Sequence, residues 1–135
     1  MGVLSSLHQF SDWGLLGLRL GVGTVFLVHG SQKRGMWKTQ PSAQMPAGLL
    51  TLLRILSVAE PLGGVATLAG LLTQVAAVGF ILVMSGAIRL KVTQLHKGFS
   101  GDGGWEFEFL LLVGAFALLV LGAGRYSLDR LVLGI

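Results

Sequence analysis

The stretch of sequence that decides the fold is residues 47–73, AGLLTLLRILSVAEPLGGVATLAGLLT. Its charged residues are Arg54 and Glu60. It exceeds the roughly 17–25 helical residues that cross a hydrocarbon core about 30 Å thick. Residues 74–90 continue the apolar run almost without a break. We therefore predict two spanning helices that pair as an antiparallel hairpin.

Two further apolar stretches, residues 13–30 and 107–124, flank this pair. Charged residues make up 12% of the chain and hydrophobic residues 53%, whereas average soluble proteins carry about 25% charged residues. A chain of 135 residues cannot bury four helices that are apolar on all sides. The sequence therefore predicts a single-domain, all-α membrane protein over residues 1–135, built as an antiparallel four-transmembrane-helix bundle. A short amphipathic tail follows at residues 125–135, where we expect Ser127 to cap the last helical turn.

The distribution of basic residues predicts the orientation in the membrane. Four spans place both termini on one side, and the two polar loops, residues 31–46 and 91–106, on the other. The loops carry Lys33, Arg34, Lys38 and Lys97, and the side richer in Lys and Arg is usually cytoplasmic. We therefore expect cytoplasmic loops and outer termini. The net charge of +4 comes largely from residues that flank apolar segments, so nucleic acid is not a predicted partner.

The chain has no cysteine. This excludes disulfides, thiol redox chemistry, iron–sulfur ligation by this chain and thiolate zinc sites, and no other metal site is predicted. Arg19 interrupts the first apolar stretch, and no Lys or Arg precedes that stretch. We therefore expect it to be retained as a spanning helix and not cleaved as a secretory signal.

Small residues recur at helical spacing in the first stretch, where Gly14, Gly17, Gly21 and Thr24 share one face. Small residues let helix backbones approach closely in lipid. We therefore expect this face to pack against neighbouring helices, and the opposite face, which carries Arg19, to serve a polar role.

Glu60 is the most informative charged residue because it lies near the middle of a predicted span. Pro61 follows it and has no N–H, so the carbonyl of Ser57 loses its helical partner and the helix is weakened there. The pattern is typical of an ion, proton or ligand site, and equally of a structural ion pair. By sign, Arg19 is the predicted partner, although the two residues differ in height by roughly 10 Å.

A second polar cluster is predicted where the spans meet the two long loops. Glu106 opens the fourth span, where a helix N-terminus favours an acidic group. Histidine is the residue that most readily carries a proton near neutral pH, although a histidine at the membrane interface often has no such role. Together with Arg19 and Glu60, the candidate ligand or proton site residues are His29, Lys33, Arg89, His96 and Glu106. Arg54, Lys91 and Glu108 belong to the same cluster.

The order of short motifs along the chain resembles the DoxX family of small bacterial membrane proteins. The matching pieces include Arg19-Leu-Gly, Phe26-Leu-Val-His29-Gly30, Glu60-Pro-Leu-Gly63-Gly64, His96-Lys-Gly98-Phe99, Gly104-Trp-Glu106 and Gly122-Ala-Gly124-Arg-Tyr-Ser127-Leu-Asp129. The pieces span nearly the whole chain, and their order is more specific than any single one.

This resemblance implies a four-helix bundle in the bacterial cell (plasma or inner) membrane and a link to quinone chemistry. The family takes its name from a membrane subunit linked to a terminal quinol oxidase and to thiosulfate:quinone oxidation. We therefore expect an integral membrane subunit of a quinone-linked redox complex, an accessory subunit of an oxidoreductase that is not catalytic alone. Arg19, His29, Glu60 and Arg89 would surround a quinone head group, and the apolar walls would be Phe26, Phe80 and Met84. Quinone is the one cofactor implied, and the expected partners are the lipid bilayer and a membrane or redox protein or a second copy of the chain.

Two other functions remain open at this point. The chain fits a non-catalytic membrane adaptor or assembly factor, in which Glu60 serves only in pairing. It also fits a carrier of a small solute or proton, which the interrupted helix at Glu60 and Pro61 suggests.

Overall fold

A computed structural model describes residues 2–135 of the protein, and the regular secondary structure of these residues is helical. A strand is absent from these residues. Its α-helices are α1 (Gly2–Ser5), α2 (Ser11–Gln32), α3 (Ala47–Ala69), α4 (Thr73–Thr93) and α5 (Glu106–Leu121). Short 3-10 helices cover Ser6–Phe10 and Lys33–Trp37, and a π-helical turn covers Asp129–Leu133.

Three helical segments are long and apolar enough to span a membrane. They are the continuous stretch Gly2–Trp37, which contains α2, and the helices α3 and α4, with 36, 23 and 21 residues. Helix α5 has 16 residues, slightly below the roughly 17–25 that a span requires. It ends at Leu121, three residues before the predicted end, because Gly122 adopts a φ of 76° that does not continue a helix.

The predicted hairpin between α3 and α4 is confirmed, although its turn lies slightly earlier than expected. Gly70 has a left-handed φ of 70° and ends α3. The N–H of Leu71 donates to the carbonyl of Ala66 at 2.8 Å, which satisfies a carbonyl that the helix end leaves free. Thr73 then starts α4.

Helices α2 and α3 cross at very short range. A Cβ atom added to Gly64 would lie 2.7 Å from both the carbonyl oxygen of Gly23 and the backbone nitrogen of Leu27. A Cβ atom at Gly30 would meet the ring of Pro61 and the Cβ of Glu60. Glycine is therefore required at both contacts.

The predicted interruption of the helix at Pro61 is wrong, because α3 runs continuously from Ala47 to Ala69. The missing N–H of Pro61 leaves one carbonyl without its usual donor, but the helix continues on both sides. Gly30 provides the space that the proline ring occupies, so the ring becomes part of the packing between α2 and α3.

The glycine face of α2 is not used for packing within the chain. An added Cβ at Gly14, Gly17 or Gly21 would meet no heavy atom of the described residues within 4 Å. The opposite face is buried instead, and Arg19 lies on it. Burial of this face keeps the charge of Arg19 away from lipid, where it would be costly. The small residues on the other face then point outward.

The core is formed mainly by α2, α4 and α5. The rings of Phe26 and Phe80 stack with centroids 3.7 Å apart, and Ala115 and Leu118 of α5 are completely buried. Large apolar side chains also cover the outer surface, including Leu82 at 69% exposure. An outer surface of this kind is unfavourable in water and suits a lipid environment.

Candidate functional site

A cavity of about 520 Å³ lies between the four long helices. Most of its lining is apolar, and α3 and α4 supply the largest share of it. Helix α2 and the turn after it contribute His29 and Lys33, while α5 contributes Glu108. The cavity therefore combines an apolar wall with a few ionisable groups, as small-molecule sites commonly do.

An ion pair between Lys33 and Glu60 lies in the cavity wall. The Lys33 Nζ atom is 2.5 Å from Oε2 of Glu60, whose side chain is only 2% exposed. Glu60 belongs to the buried stripe of α3, and Lys33 follows the last residue of α2. Oε1 of Glu60 is buried and has no hydrogen-bond partner among the described residues. A buried acceptor without a donor is costly, so this atom is suited to receive a hydrogen bond from a ligand.

A second ion pair joins α4 to α5 beside the same cavity. The Lys91 Nζ atom is 2.6 Å from Oε1 of Glu108 and also donates to the carbonyl of Gly104 at 3.1 Å. Oε2 of Glu108 is again buried without a partner among residues 2–135. The cavity therefore holds two carboxylates, each with one oxygen paired to a lysine and one oxygen free to accept.

Several predicted residues meet at this cavity. His29 lines it, and its ring centroid is 5.1 Å from that of Phe107. Phe26 and Met84 line the cavity, as predicted for its apolar wall, whereas Phe80 stacks on Phe26 and does not line the cavity.

Arg19 lies elsewhere, and its predicted pairing with Glu60 is wrong. Its buried guanidinium donates four hydrogen bonds, to the carbonyls of Thr67 (3.0 Å), Leu68 (3.0 Å), Ala123 (2.9 Å) and Tyr126 (2.6 Å). The last carbonyls of α3 lack the usual helical donor four residues further along the chain, and the fork of a guanidinium can reach several acceptors at once. The arginine therefore joins the end of α3 to the C-terminal tail. The observed partner of Glu60 is Lys33 and not the predicted Arg19.

Asp129 fastens the same tail to the start of α4. Its Oδ1 accepts from the N–H of Leu72 at 2.6 Å, and its Oδ2 accepts from the N–H of Thr73 at 3.0 Å. The cap predicted at Ser127 is confirmed, since its hydroxyl accepts from the N–H of Arg130 at 3.3 Å. The tail thus buries Ser127 and Asp129 and leaves Leu131 exposed.

The remaining predicted residues, Arg89, His96 and Glu106, are exposed and do not line the cavity. The structure does not bring them together with Glu60, and their roles stay predictions. The acidic residue of α5 that does reach the cavity is Glu108. The sequence analysis placed Glu108 in the polar cluster but not among the candidate site residues. Helical spacing could have selected it, because Glu108 precedes the buried Leu111, Ala115 and Leu118 by three, seven and ten residues.

These features define a helical membrane protein whose helices enclose a largely apolar cavity with two lysine–carboxylate pairs. A family model described as DoxX matches residues 14–96, and the chain belongs to the DoxX family. The match covers most of α2 and all of α3 and α4 and includes the Lys33–Glu60 pair, so the resemblance seen in the sequence is confirmed.

Two relatives align over nearly the whole chain. An uncharacterised membrane protein of Mycobacterium tuberculosis (strain ATCC 25618 / H37Rv), Rv3486, is 38% identical over 144 aligned residues, which cover 92% of this chain and 84% of the relative. A protein of Bacillus subtilis (strain 168) named "Putative oxidoreductase CatD" is 33% identical over 130 aligned residues, which cover 93% of this chain and 92% of the relative. No solved structure matches the chain.

Proposed function

We propose that this chain is a membrane subunit of a quinone-linked redox complex and that its cavity binds the quinone head group. The observation that carries the proposal is Glu60, a carboxylate that is 2% exposed, paired through one oxygen with Lys33 and unpartnered at the other. The cavity volume of about 520 Å³ falls in the range of roughly 300–1,000 Å³ typical of small-molecule sites.

The chemistry of the lining residues fits a quinone. An oxidised quinone ring offers two carbonyl acceptors, and the reduced ring offers two hydroxyl donors. The ammonium group of Lys33 can donate to a ring carbonyl, and Oε1 of Glu60 can accept from a ring hydroxyl. The flat apolar ring matches walls that include Phe26 and Met84.

In this proposal the residues of the chain bind, orient and handle protons. A bound quinone supplies two-electron, two-proton redox chemistry. Glu60 is placed to hold a proton at its free oxygen, and Glu108 offers a second free oxygen beside the same cavity. The electrons come from a redox partner, since the chain lacks cysteine and therefore cannot ligate an iron–sulfur cluster through thiolates. The name of the Bacillus subtilis relative supports the assignment to an oxidoreductase system.

We further propose that α5 is a fourth spanning helix in the bacterial inner membrane. Its 16 residues cover roughly 24 Å, and the segments at its ends can complete the crossing. Leu110, Phe116 and Val120 are exposed on its outer side, at 70%, 56% and 62%, as lipid contact requires. Four spans and the basic residues of the long loops favour cytoplasmic loops and outer termini.

An adaptor or assembly factor is the second candidate function. The open face at Gly14, Gly17 and Gly21 favours it, because small residues allow another helix to approach closely. That helix would belong to a membrane partner or to a second copy of the chain. The carrier function loses its main support, since α3 is continuous through Pro61.

Glu60→Gln will remove the bound quinone. The amide keeps the size of the side chain, but it removes the charge that holds Lys33 and replaces carboxylate acceptors with a group that can accept at only one atom. We expect about one quinone per chain in lipid extracts of the wild-type protein purified in mild detergent, and at least a tenfold lower ratio in the variant.

The matched control is Asp102→Asn, which makes the same carboxylate-to-amide change at an exposed residue outside the cavity and is expected to retain quinone. Thermal unfolding of each variant reports whether the fold is intact. Quinone at the wild-type ratio in a folded Glu60→Gln protein would contradict the proposed site, as would a folded wild-type protein that neither retains nor takes up quinone.

A further inference from the structure

The cavity has an unusual wall between α3 and α4. Helix α3 packs mainly on α2, and α4 packs mainly on α5, so α3 and α4 meet each other only sparsely. Both helices nevertheless line the cavity, and they lie next to each other because a turn of only three residues, 70–72, connects them.

Side chains on this wall belong to the cavity and to the outer surface at once. Leu82 lines the cavity and is 69% exposed, and Leu52 lines it from α3 and is 49% exposed. Gly86 also lines it, and an added Cβ there would meet no heavy atom within 4 Å. Gly86 lies one helical turn after Leu82 and therefore on the same face of α4. The wall is open at this point.

The opening is level with the buried carboxylate. Glu60 lies nine residues before Ala69, the end of α3, and Leu82 lies nine residues after Thr73, the start of α4. At 1.5 Å per residue, both stand roughly 14 Å from the shared turn. Because α3 and α4 are spanning helices, the medium outside Leu82 at this depth is lipid acyl chain.

We propose that the cavity opens sideways into the bilayer between α3 and α4, and that its ligand is a quinone whose isoprenoid tail leaves through the gap at Leu82 and Gly86. This proposal rests on the proposed function for the head group. A neutral ring can reach Glu60 at this depth with its tail in the lipid. The charged head group of a phospholipid would have to leave the membrane surface to do so, which is costly.

Gly86→Phe tests the opening. Binding is measured in detergent for menaquinone-4 and for menadione, which has the same ring and no tail, and likewise for ubiquinone-2 and ubiquinone-0. We expect the phenylalanine to block the path of the tail. In whichever quinone series the wild type binds, the Gly86→Phe variant will bind the tailed quinone at least tenfold more weakly than the wild type does. Its affinity for the tail-less quinone will stay within about twofold of the wild-type value.

The matched control is Gly79→Phe. Gly79 lies two turns before Gly86 on the same side of α4, has equally open space around it and does not line the cavity. We expect this variant to bind both forms like the wild type. Leu82→Trp provides a second block of the same gap, in case Gly86→Phe does not fold.

The outcomes separate this proposal from the proposed function. If the blocked variants bind the tailed quinone like the wild type, or lose both forms equally, the sideways opening is wrong while the head-group site stands. Quinone-free wild-type protein, or a Glu60→Gln variant that binds both forms normally, overturns the proposed function itself. A phospholipid found in the cavity by native mass spectrometry in place of quinone also overturns the opening as a quinone path.

Discussion

Arg19→Met will destabilise the protein by about 3–5 kcal/mol, because several buried backbone carbonyls lose a hydrogen bond from a charged donor, and such bonds contribute roughly 1.5–3 kcal/mol each. The arginine is 2% exposed and is the donor for four backbone carbonyls. Methionine fills a similar volume but donates nothing, so all four carbonyls lose the bond from the guanidinium, although that of Thr67 keeps the N–H of Gly70 at 3.1 Å. Each unsatisfied buried group costs about 1–3 kcal/mol.

The loss will also be visible at the C-terminal tail. The carbonyl of Tyr126 belongs to the tail and that of Ala123 lies just before it, so the tail should detach before the helices separate. We expect trypsin to cut the variant faster at Arg125 and Arg130, and denaturant titration in detergent to give the lower stability. Arg125→Met, at an exposed residue, is the stability control. Equal stability and equal cleavage at Arg130 in the Arg19→Met protein and the wild type would show that the hydrogen bonds of Arg19 do not hold the tail in place.

Gly64→Val will separate α2 from α3 and is expected to have the second largest effect. Any Cβ at this position would lie 2.7 Å from two backbone atoms of α2, which cannot move aside like the end of a flexible side chain. Overpacking a close contact typically costs about 1–3 kcal/mol, and more where backbone must shift. We therefore expect at least about 3 kcal/mol of lost stability.

Gly17→Ala is the matched comparison for this prediction. Gly17 lies in a helix as Gly64 does, but an added Cβ there meets only open space. Alanine favours a helix over glycine by roughly 1 kcal/mol, so the variant should be as stable as the wild type or slightly more so. If Gly64→Val and Gly17→Ala change the stability to the same extent, the close crossing of α2 and α3 is not a feature of the protein.

The sequence predicted the large features of the fold because they follow from composition and periodicity. The α3–α4 hairpin could be read from two apolar stretches without a polar loop between them. The buried residues of α3 include Ser57, Glu60 and Thr67, which are three and seven residues apart and therefore lie on one face of the helix. The end of α5 was less predictable, because the apolar pattern continues past Leu121 while the backbone at Gly122 turns away.

The pairing of charged residues was harder to predict from the sequence, because the sign of a charge and its height along a helix do not specify its partner. Arg19 and Glu60 were the obvious pair by sign, yet the guanidinium of Arg19 donates to backbone carbonyls of α3 and of the segment after α5, which come together only in the folded protein. Lys33 was assigned to a loop, but the 3-10 turn after α2 directs its side chain back to Glu60. The orientation of Gly14, Gly17 and Gly21 was also uncertain, since a small-residue face fits a neighbour within the chain as well as one outside it.

The most direct test of the central claim is to map where a quinone contacts the chain. Purified protein is irradiated with a quinone that carries a diazirine on its first tail unit, and the labelled residues are identified by mass spectrometry. We predict labels on the cavity-lining parts of α3 and α4, around Leu56 and around Leu82 and Gly86, which excess unlabelled quinone removes. Labels confined to the outer glycine face of α2, or labels that excess quinone does not reduce, would contradict a quinone site beside Glu60.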